Sequence, residues 1–304
     1  MRKILTVLVI GTLAITGIQT PASAKNFFAE KRAEIQKIRE HNNTLKDIRA
    51  VITQQEKYSN NYNVEGLSSL YTPDFTNSDG FNKEVYFKLI KDTWSTYPNI
   101  SYSTRIKNID YSGNYATVEV SENAVATAQE ALGEDIIVGE LYSTADSIYY
   151  LEKVGTKWLI SSEKILKEQS SLKYGDARYT NIQLSSPVQI NAGEHYTVGL
   201  KVDAPEDAVV IGSINKENIT YPQKKADEVF RKLPDDNILE RIFLSNKSNV
   251  NEYVVASVGI TKSEIYDKTK VRVYMGGLAF IMTRVNVIPA NKFINLEEED
   301  AKDK

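Results

Sequence analysis

The hydrophobic positions of this chain change period once in its first half, from a helical spacing to an alternation typical of strands. In FFAEKRAEIQKIREHNN, the residues Phe28, Ile35 and Ile38 recur at roughly helical spacing among charged residues. This pattern predicts an amphipathic helix. Thr44 then has the position of an N-cap, which predicts a second helix that runs to about Asn60.

Two further helices are predicted before any strand. NVEGLSSLY predicts a short third helix that ends at Pro73. Asn82 is predicted to cap a fourth helix, with Phe81 and Tyr86 flanking it as a hydrophobic staple. Pro98 should end this helix.

From residue 100 onward the pattern alternates. ISYSTRIKNIDY and YATVEVSENAVATAQ flank Ser112-Gly113-Asn114, a sequence typical of a hairpin turn. IIVGELYSTADSIYYLEKV predicts a long third strand, and a Gly155-Thr156 turn leads into a fourth, KWLISSEKIL. Helices followed by such a meander predict an α+β domain with the helices on one face of the sheet.

The second half of the chain is strand-like almost throughout. About seven short segments are separated by turn signals such as Asn191-Ala192-Gly193, with Gly276-Gly277 as the expected last hairpin turn. This spacing predicts an all-β, immunoglobulin-like sandwich. Gly175-Asp176, in a stretch without apolar periodicity, indicates a linker before it.

The N-terminus predicts export. Arg2 and Lys3 precede an apolar run from Ile4 to Ile18 and then Ala22-Ser23-Ala24, the arrangement of a cleavable secretory signal peptide. The apolar run is short for a membrane span, so we expect none after cleavage. The predicted organisation is a signal peptide (1–24), a helical segment (25–44), an α+β domain (45–170), a linker (171–177), a β-sandwich (178–290) and an acidic tail (291–304).

The amino-acid composition argues against several kinds of functional site. The 304 residues include no cysteine and two histidines, His41 and His195, which fall in different predicted domains. Disulfides, thiol catalysis and a zinc site of the usual kind are therefore not expected, and no cofactor is predicted. With 37 basic and 40 acidic residues, the mild acidity argues against nucleic acid as a partner.

Two stretches carry a family resemblance. YSNNYNVEGLSSLYTPDF, and LEKVGTKWLISSEKIL with Trp158 near its centre, resemble the SnoaL-like branch of the nuclear transport factor 2-like superfamily over roughly Leu45–Lys167. The resemblance implies an α+β cone in which helices close the mouth of a curved antiparallel sheet. It implies no particular activity, since this scaffold hosts isomerases, cyclases, hydratases and binding domains.

Aromatic residues supply the candidate pocket. They form either core or the wall of a pocket for an apolar, ring-shaped ligand. The candidate pocket residues are Tyr58, Tyr62, Tyr71, Phe75, Tyr86, Trp94 and Tyr142.

Two acidic residues are candidate catalytic groups. Glu122 interrupts an apolar parity between Val120 and Ala124, and Asp146 lies in the middle of the third strand. A carboxylate facing inward costs several kcal/mol unless it is paired or protonated. Either residue could serve as an acid or base, as in the ketosteroid-isomerase relatives of the superfamily. The alternative is a bulge that turns the residue out to water.

These patterns favour an exported, non-catalytic module that binds a small hydrophobic ligand or an envelope protein. One alternative is an isomerase- or hydratase-like enzyme that acts on a small hydrophobic molecule in the cone. Another is a structural envelope or surface protein. The sequence leaves a homodimer open.

Overall fold

The computed structural model describes residues 22–132, 135–204, 208–223, 228–267 and 270–290. The predicted signal peptide up to residue 21 and the predicted acidic tail lie outside these residues. Within them, no helix is both long and apolar enough to cross a membrane. The chain divides into two compact units, Met1–Lys46 and Asp47–Lys304.

The helices are α1 (Ala22–Asn60), α2 (Val64–Ser68) and α3 (Lys83–Thr96). The predicted break at Thr44 is wrong, because α1 continues through it. The sequence from Lys25 to Asn60 contains neither glycine nor proline, so no residue in it strongly disfavours helix. A polar His41-Asn42-Asn43 stretch is too weak a signal to end a helix.

Asparagine side chains cap both short helices. The Asn63 Oδ1 accepts a hydrogen bond from the Gly66 amide at 2.8 Å, and the Asn82 Oδ1 accepts one from the Val85 amide at 3.0 Å. The predicted cap at Asn82 is confirmed, and α3 ends before Pro98 as expected.

The end of the predicted third helix is instead a strand. β1 (Tyr71–Asn77) pairs with β5 in parallel, and its register is interrupted between Tyr71 and Thr76. Pro73 lies in this interruption, where its missing N–H breaks no ladder hydrogen bond. The proline therefore marks an irregular edge strand and not a helix end.

The predicted meander is confirmed. Its strands are β2 (Ser101–Ser112), β3 (Tyr115–Leu132), β4 (Asp135–Val154) and β5 (Lys157–Gly175), each antiparallel to the next. Gly113 and Gly155 occupy the turns with φ of 58° and 63°, a left-handed conformation that glycine adopts without strain.

The second half of unit Asp47–Lys304 is a second set of strands. They are β6 (Asn181–Ser185), β7 (Gln189–Asn191), β8 (His195–Asp203), β9 (Val209–Asn218), β10 (Arg231–Lys232), β11 (Ile238–Leu244), β12 (Glu252–Asp267) and β13 (Lys270–Ile288). A three-stranded sheet has the order β11-β8-β6, while the large sheet runs β10-β9-β12-β13-β5-β4-β3-β2. Apolar side chains from both sheets share one buried core, so this half is a two-layer β-sandwich.

The residues predicted as a linker are part of the sheet. β5 runs to Gly175 and is followed by a 3₁₀ helix, Asp176–Tyr179. Residues 169–175 of β5 pair with β13 on one edge, and residues 169–174 also pair with β4 on the other. The division into two domains stays a prediction, but residues 171–177 are not an irregular linker.

Gly276-Gly277 is likewise not a hairpin turn, since both residues lie inside β13. Gly277 pairs with Gly175. A Cβ atom on Gly277 would lie 2.4 Å from the Ala177 amide nitrogen, and one on Gly175 would lie 2.3 Å from the Gly276 carbonyl oxygen. Close approach of backbones, and not a turn, requires these glycines.

Candidate ligand-binding cavity

A cavity of about 210 Å³ lies between α1, α3 and the inward face of strands β3, β4 and β5. An apolar cavity of about 150 Å³ accepts benzene, so this one has room for a ring-sized molecule. The helices cover this sheet face because Ile48 and Ile52 of α1 and Trp94 of α3 are buried in the same core as Val118 and Ile160 of the sheet.

Five aromatic rings line the cavity: Tyr71, Tyr86, Trp94, Tyr102 and Tyr149. The Trp94 indole N–H donates to the Tyr102 hydroxyl at 3.2 Å, which fixes the orientation of both rings. The Tyr71 and Tyr86 rings pack with their centroids 5.8 Å apart. One wall of the cavity is therefore an ordered aromatic surface.

A hydrogen-bond network crosses the cavity from helix to sheet. The Gln55 amide Nε2 donates to the hydroxyls of Tyr71 at 3.0 Å and Tyr149 at 2.8 Å. The Tyr149 hydroxyl in turn donates to the Glu122 Oε1 at 2.9 Å. Tyr149 is paired directly across the sheet with Glu163, so this network has a carboxyl group on each side of Tyr149.

The carboxyl groups of Glu122 and Glu163 keep their protons to a higher pH than an ordinary glutamate does. Burial raises the pKa of Glu122 to about 7, although the hydrogen bond from the Tyr149 hydroxyl offsets part of the rise. Burial, and then the neighbouring charge of Glu122, raise the pKa of Glu163 to about 8. Near neutral pH the cavity therefore holds carboxyl groups that readily gain or lose a proton.

The tyrosines of the network stay neutral. Burial raises the pKa of Tyr71, Tyr86 and Tyr149 above the ordinary value for tyrosine, and the nearby charges of Glu163 and Glu122 add to the effect. These hydroxyls are therefore hydrogen-bond donors and acceptors over the whole physiological range of pH.

Two buried polar atoms of the cavity wall have no partner among the described residues: the Gln55 Oε1 and the Glu163 Oε2. Gln55 is 7% exposed and Glu163 is 4% exposed. A buried polar atom without a partner costs about 1–3 kcal/mol. Such atoms at a cavity surface are therefore ready contacts for a bound molecule.

The predicted site residues separate into three groups. Tyr71, Tyr86, Trp94 and Glu122 line the cavity. Glu122 pairs regularly with Thr104 and Ala145, so no bulge turns it out to water.

Tyr58, Tyr62 and Phe75 are not among the cavity-lining residues. Phe75 is fully buried, with its ring against Tyr71 at 4.9 Å. The Tyr62 ring packs edge-on against Trp94 at 5.4 Å, and its hydroxyl donates to the Ile100 carbonyl at 2.7 Å. Tyr58 packs against the same core. These three residues support the cavity wall from behind.

Asp146 and Tyr142 lie on the opposite face of the sheet. On β4 the side chains of Ser143, Ala145 and Tyr149 point into the cavity, and the alternation of a strand therefore directs Asp146 and Tyr142 away from it. Tyr142 is 54% exposed. Asp146 accepts a hydrogen bond from the Lys107 ammonium at 2.6 Å, and this contact lowers the pKa of Asp146. Tyr142, a predicted pocket residue, therefore does not line the cavity, and Asp146, a candidate catalytic group, has the outward position that the sequence left open as the alternative.

Sequence reasoning missed Gln55 and Glu163. Gln55 follows Ile48 and Ile52 at helical spacing, so its place on the buried face of α1 was readable from the sequence. The inward position of Glu163 could not be predicted from the sequence. A bulge between Ile160 and Ser162 shifts the parity of β5, which turns residue 163 inward after Trp158 and Ile160.

In the described part of the chain, no group of three His, Asp or Glu side chains is arranged to hold a metal ion.

The comparisons with known proteins give fold similarities of low score. No protein-family model and no curated protein matches the chain. Among solved structures, it is similar to a protein assigned to the scytalone dehydratases from Novosphingobium aromaticivorans, with 16% identity, a TM-score of 0.34, and 40% of this chain and 82% of that one covered.

Two further similar structures cover the same share of this chain. A conserved protein from Planctomyces limnophilus is 19% identical, with a TM-score of 0.34, and 41% of this chain and 94% of that one are covered. A nuclear transport factor 2-like protein assigned as a dehydratase from Streptomyces avermitilis is 14% identical, with a TM-score of 0.31, and 41% and 95% are covered. Each similarity covers 40–41% of this chain, and one of the three structures is described as nuclear transport factor 2-like.

Proposed function

We propose that this protein is an exported module that binds a small organic molecule in the cavity between α1, α3 and the sheet. The observation that carries the proposal is the combination, in a cavity of about 210 Å³, of five aromatic rings with two buried polar atoms that lack a partner in the part of the chain that the structure describes. A merely structural core would be expected to fill such a space with apolar side chains. Export rests on the signal-peptide pattern of residues 1–24.

We further propose that the β-sandwich is immunoglobulin-like. The distribution of its strands between the two sheets supports this assignment. The first, third and sixth strands of this half (β6, β8 and β11) form one sheet, as strands A, B and E do in an immunoglobulin domain. Strands β9, β12 and β13 belong to the other sheet, as strands C, F and G do, and β7 pairs in parallel with β13. Such a sandwich provides a surface for an envelope protein or a second copy of the chain.

Binding can be tested with a substitution that fills the cavity with a large side chain and leaves the polar groups of its wall in place. Ala124 lines the cavity, and the next residue, Val125, is 47% exposed. Protein purified from its native host should carry a small molecule detectable by native mass spectrometry. Ala124→Trp should abolish that signal, and the matched control Val125→Trp should retain it. Circular dichroism checks that both variants are folded.

An absence of any bound molecule from the wild type, together with unchanged thermal stability across a panel of small molecules, would contradict the proposal.

A second candidate function is acid–base catalysis in the same cavity. It is favoured by Glu122, whose pKa is raised to about 7 and whose Oε1 accepts a hydrogen bond from the Tyr149 hydroxyl at 2.9 Å. A carboxyl group with this pKa can both accept and donate a proton at neutral pH. Glu122→Gln should then lower turnover of a substrate about 10²–10⁴-fold and leave its binding intact. Asp146→Asn, on the opposite face, should have no effect.

A further inference from the structure

The charge of the cavity wall restricts what can occupy it. Glu56, Glu122 and Glu163 line the cavity, and none of the described residues that line it is Lys, Arg or His. An anionic ligand would face carboxyl groups without a compensating cation. Such like-charge placement is unfavourable, whereas a cationic ligand would meet a partner.

Arg284, a buried cation close to Glu168, already forms ion pairs with other groups. Glu168 contributes to the electrostatic environment of both Glu122 and Glu163. Its own carboxylate lies 3.8 Å from the Arg284 guanidinium, which also forms a bidentate pair with Asp79. The Arg284 guanidinium therefore neutralises Glu168 and Asp79, and Arg284 is not among the residues that line the cavity.

The Gln55 Oε1 and the Glu163 Oε2 of the cavity wall can each accept a hydrogen bond from a ligand that carries a donor. Both amide hydrogens of Gln55 are used, on Tyr71 and Tyr149, which leaves the Oε1 as a free acceptor within the described residues. The Glu163 Oε2 is a second acceptor once that carboxyl group is ionised. A neutral apolar ligand would leave both acceptors unpaired, at a cost that a donor would remove.

The aromatic rings favour the same kind of ligand. An ammonium group within about 6 Å of a tyrosine or tryptophan ring is attracted by the negative face of the ring. Tyr71, Tyr86, Trp94 and Tyr102 line the cavity together with the carboxyl groups, so aromatic rings lie within reach of a cation bound there.

We infer that the ligand of this cavity is a small organic ammonium ion, a protonated amine attached to an apolar group of about the size of one ring. Its N–H groups would donate to the Glu163 and Gln55 oxygens, and its apolar part would pack on the Trp94 side. This inference rests on the proposed function, because it assigns the chemical class of the molecule that the cavity binds.

Binding of the ammonium ion should be coupled to proton release. The titratable groups that interact with Glu163 and Glu122 are the hydroxyls of Tyr71, Tyr86 and Tyr149 and the carboxylate of Glu168. The tyrosines stay neutral, so we expect Glu122 and Glu163, two of the three glutamates that line the cavity, to be the groups that change charge near neutral pH. An ammonium ion stabilises their ionised form, lowers their pKa and expels a proton to solvent.

The experiment compares three probes of one shape: benzylamine as the cation, benzyl alcohol as the neutral analogue and benzoate as the anion. Isothermal titration calorimetry at pH 8 should show benzylamine binding at least tenfold more tightly than benzyl alcohol, and no binding of benzoate. Between pH 6 and pH 8 the affinity for benzylamine should rise. In two buffers of different ionisation enthalpy, the apparent binding enthalpy near pH 7 should differ because a proton is released.

Two conservative variants and a matched control locate the effect. Glu163→Gln and Glu122→Gln should each reduce the preference for benzylamine over benzyl alcohol at least several-fold, while Asp146→Asn should keep it. If benzyl alcohol or benzoate binds as tightly as benzylamine, the ligand class is wrong although the cavity still binds small molecules. If none of the probes binds at millimolar concentration, both the class and the proposed function are contradicted.

Discussion

At the scale of single residues, Glu163 shows how burial changes the properties of a carboxyl group in this protein. It is 4% exposed, on the inner face of β5, and has one carboxyl oxygen without a partner among the described residues. Such a placement lowers stability whenever the group is ionised. The cost is typical of a site at which a charge is accepted only when a ligand brings its counter-charge.

The free-energy cost of ionising the buried Glu163 makes the free energy of unfolding depend on pH. The folded protein keeps the Glu163 proton up to about pH 8, whereas an unfolded chain loses it near the ordinary value of 4.5. Between these values the folded state binds more protons, so the free energy of unfolding should fall as pH rises, by at most about 1.4 kcal/mol per pH unit for one group. Urea denaturation of the wild type between pH 5 and pH 8 should show this slope.

Glu163→Gln should make the slope shallower, because an amide does not titrate. The exposed Glu119 of β3 provides the matched control, and Glu119→Gln should leave the slope unchanged. A wild-type stability that rises with pH over this range would contradict the assignment of a raised pKa to Glu163.

At the scale of elements, the contact of β5 with β13 depends on residues without side chains. Gly175 and Gly277 are paired, and Gly276 lies over Asp176 so closely that a Cβ atom there would be 2.7 Å from the Asp176 Oδ2. The 3₁₀ helix after β5 can approach β13 only because these positions carry no Cβ.

Gly277→Ala should therefore destabilise the protein by about 1–3 kcal/mol or more, since the neighbouring atom is a backbone nitrogen that cannot rotate away. A suitable control is Gly113→Asn in the β2–β3 turn, where the space is open and asparagine tolerates the left-handed conformation. Chemical denaturation measures both. Equal stability of Gly277→Ala and the wild type would show that the backbones are not in close contact.

At the scale of the whole unit Asp47–Lys304, a buried ion pair connects the helical half to the sandwich half. Arg284 of β13 pairs with Asp79, which follows β1, and the side chains of both are almost fully buried. The Arg284 Nε also donates to the Asn286 Oδ1 at 2.8 Å, and Asn251 donates to Asp79 at 2.8 Å. Breaking one partner of such a pair leaves the other charge buried and unpaired.

Arg284→Met should accordingly lower the free energy of unfolding by about 3–5 kcal/mol. Arg272→Met is the matched control, because Arg272 forms an exposed pair with Glu264 at 3.8 Å, a contact expected to contribute about 0–1 kcal/mol. Urea denaturation of the two variants separates these values. Similar small losses in both would mean that the Arg284 pair contributes little to joining the halves.

Much of the local structure followed from short stretches of sequence. The cap at Asn82, the turns at Gly113 and Gly155, and the meander from β2 to β5 depend on interactions between residues close in the chain, which composition and spacing encode directly. For Glu122, the parity with Val120 and Ala124 offered an inward position and a bulge offered an outward one, and the regular pairing of β3 with its neighbours decided for the inward position. Strand alternation alone predicts such a position wherever the strand is regular.

The tertiary structure decided the features that depend on distant partners. The bulge in β5 turned Glu163 inward, and the parity of β4 directed Asp146 outward to Lys107. The pairing of Gly175 with Gly277 made a strand of the expected linker and of the expected turn. The local sequence does not show which backbone segments will lie against each other, because the packing of the whole sheet selects those contacts, and Gly175 and Gly277 are about a hundred residues apart.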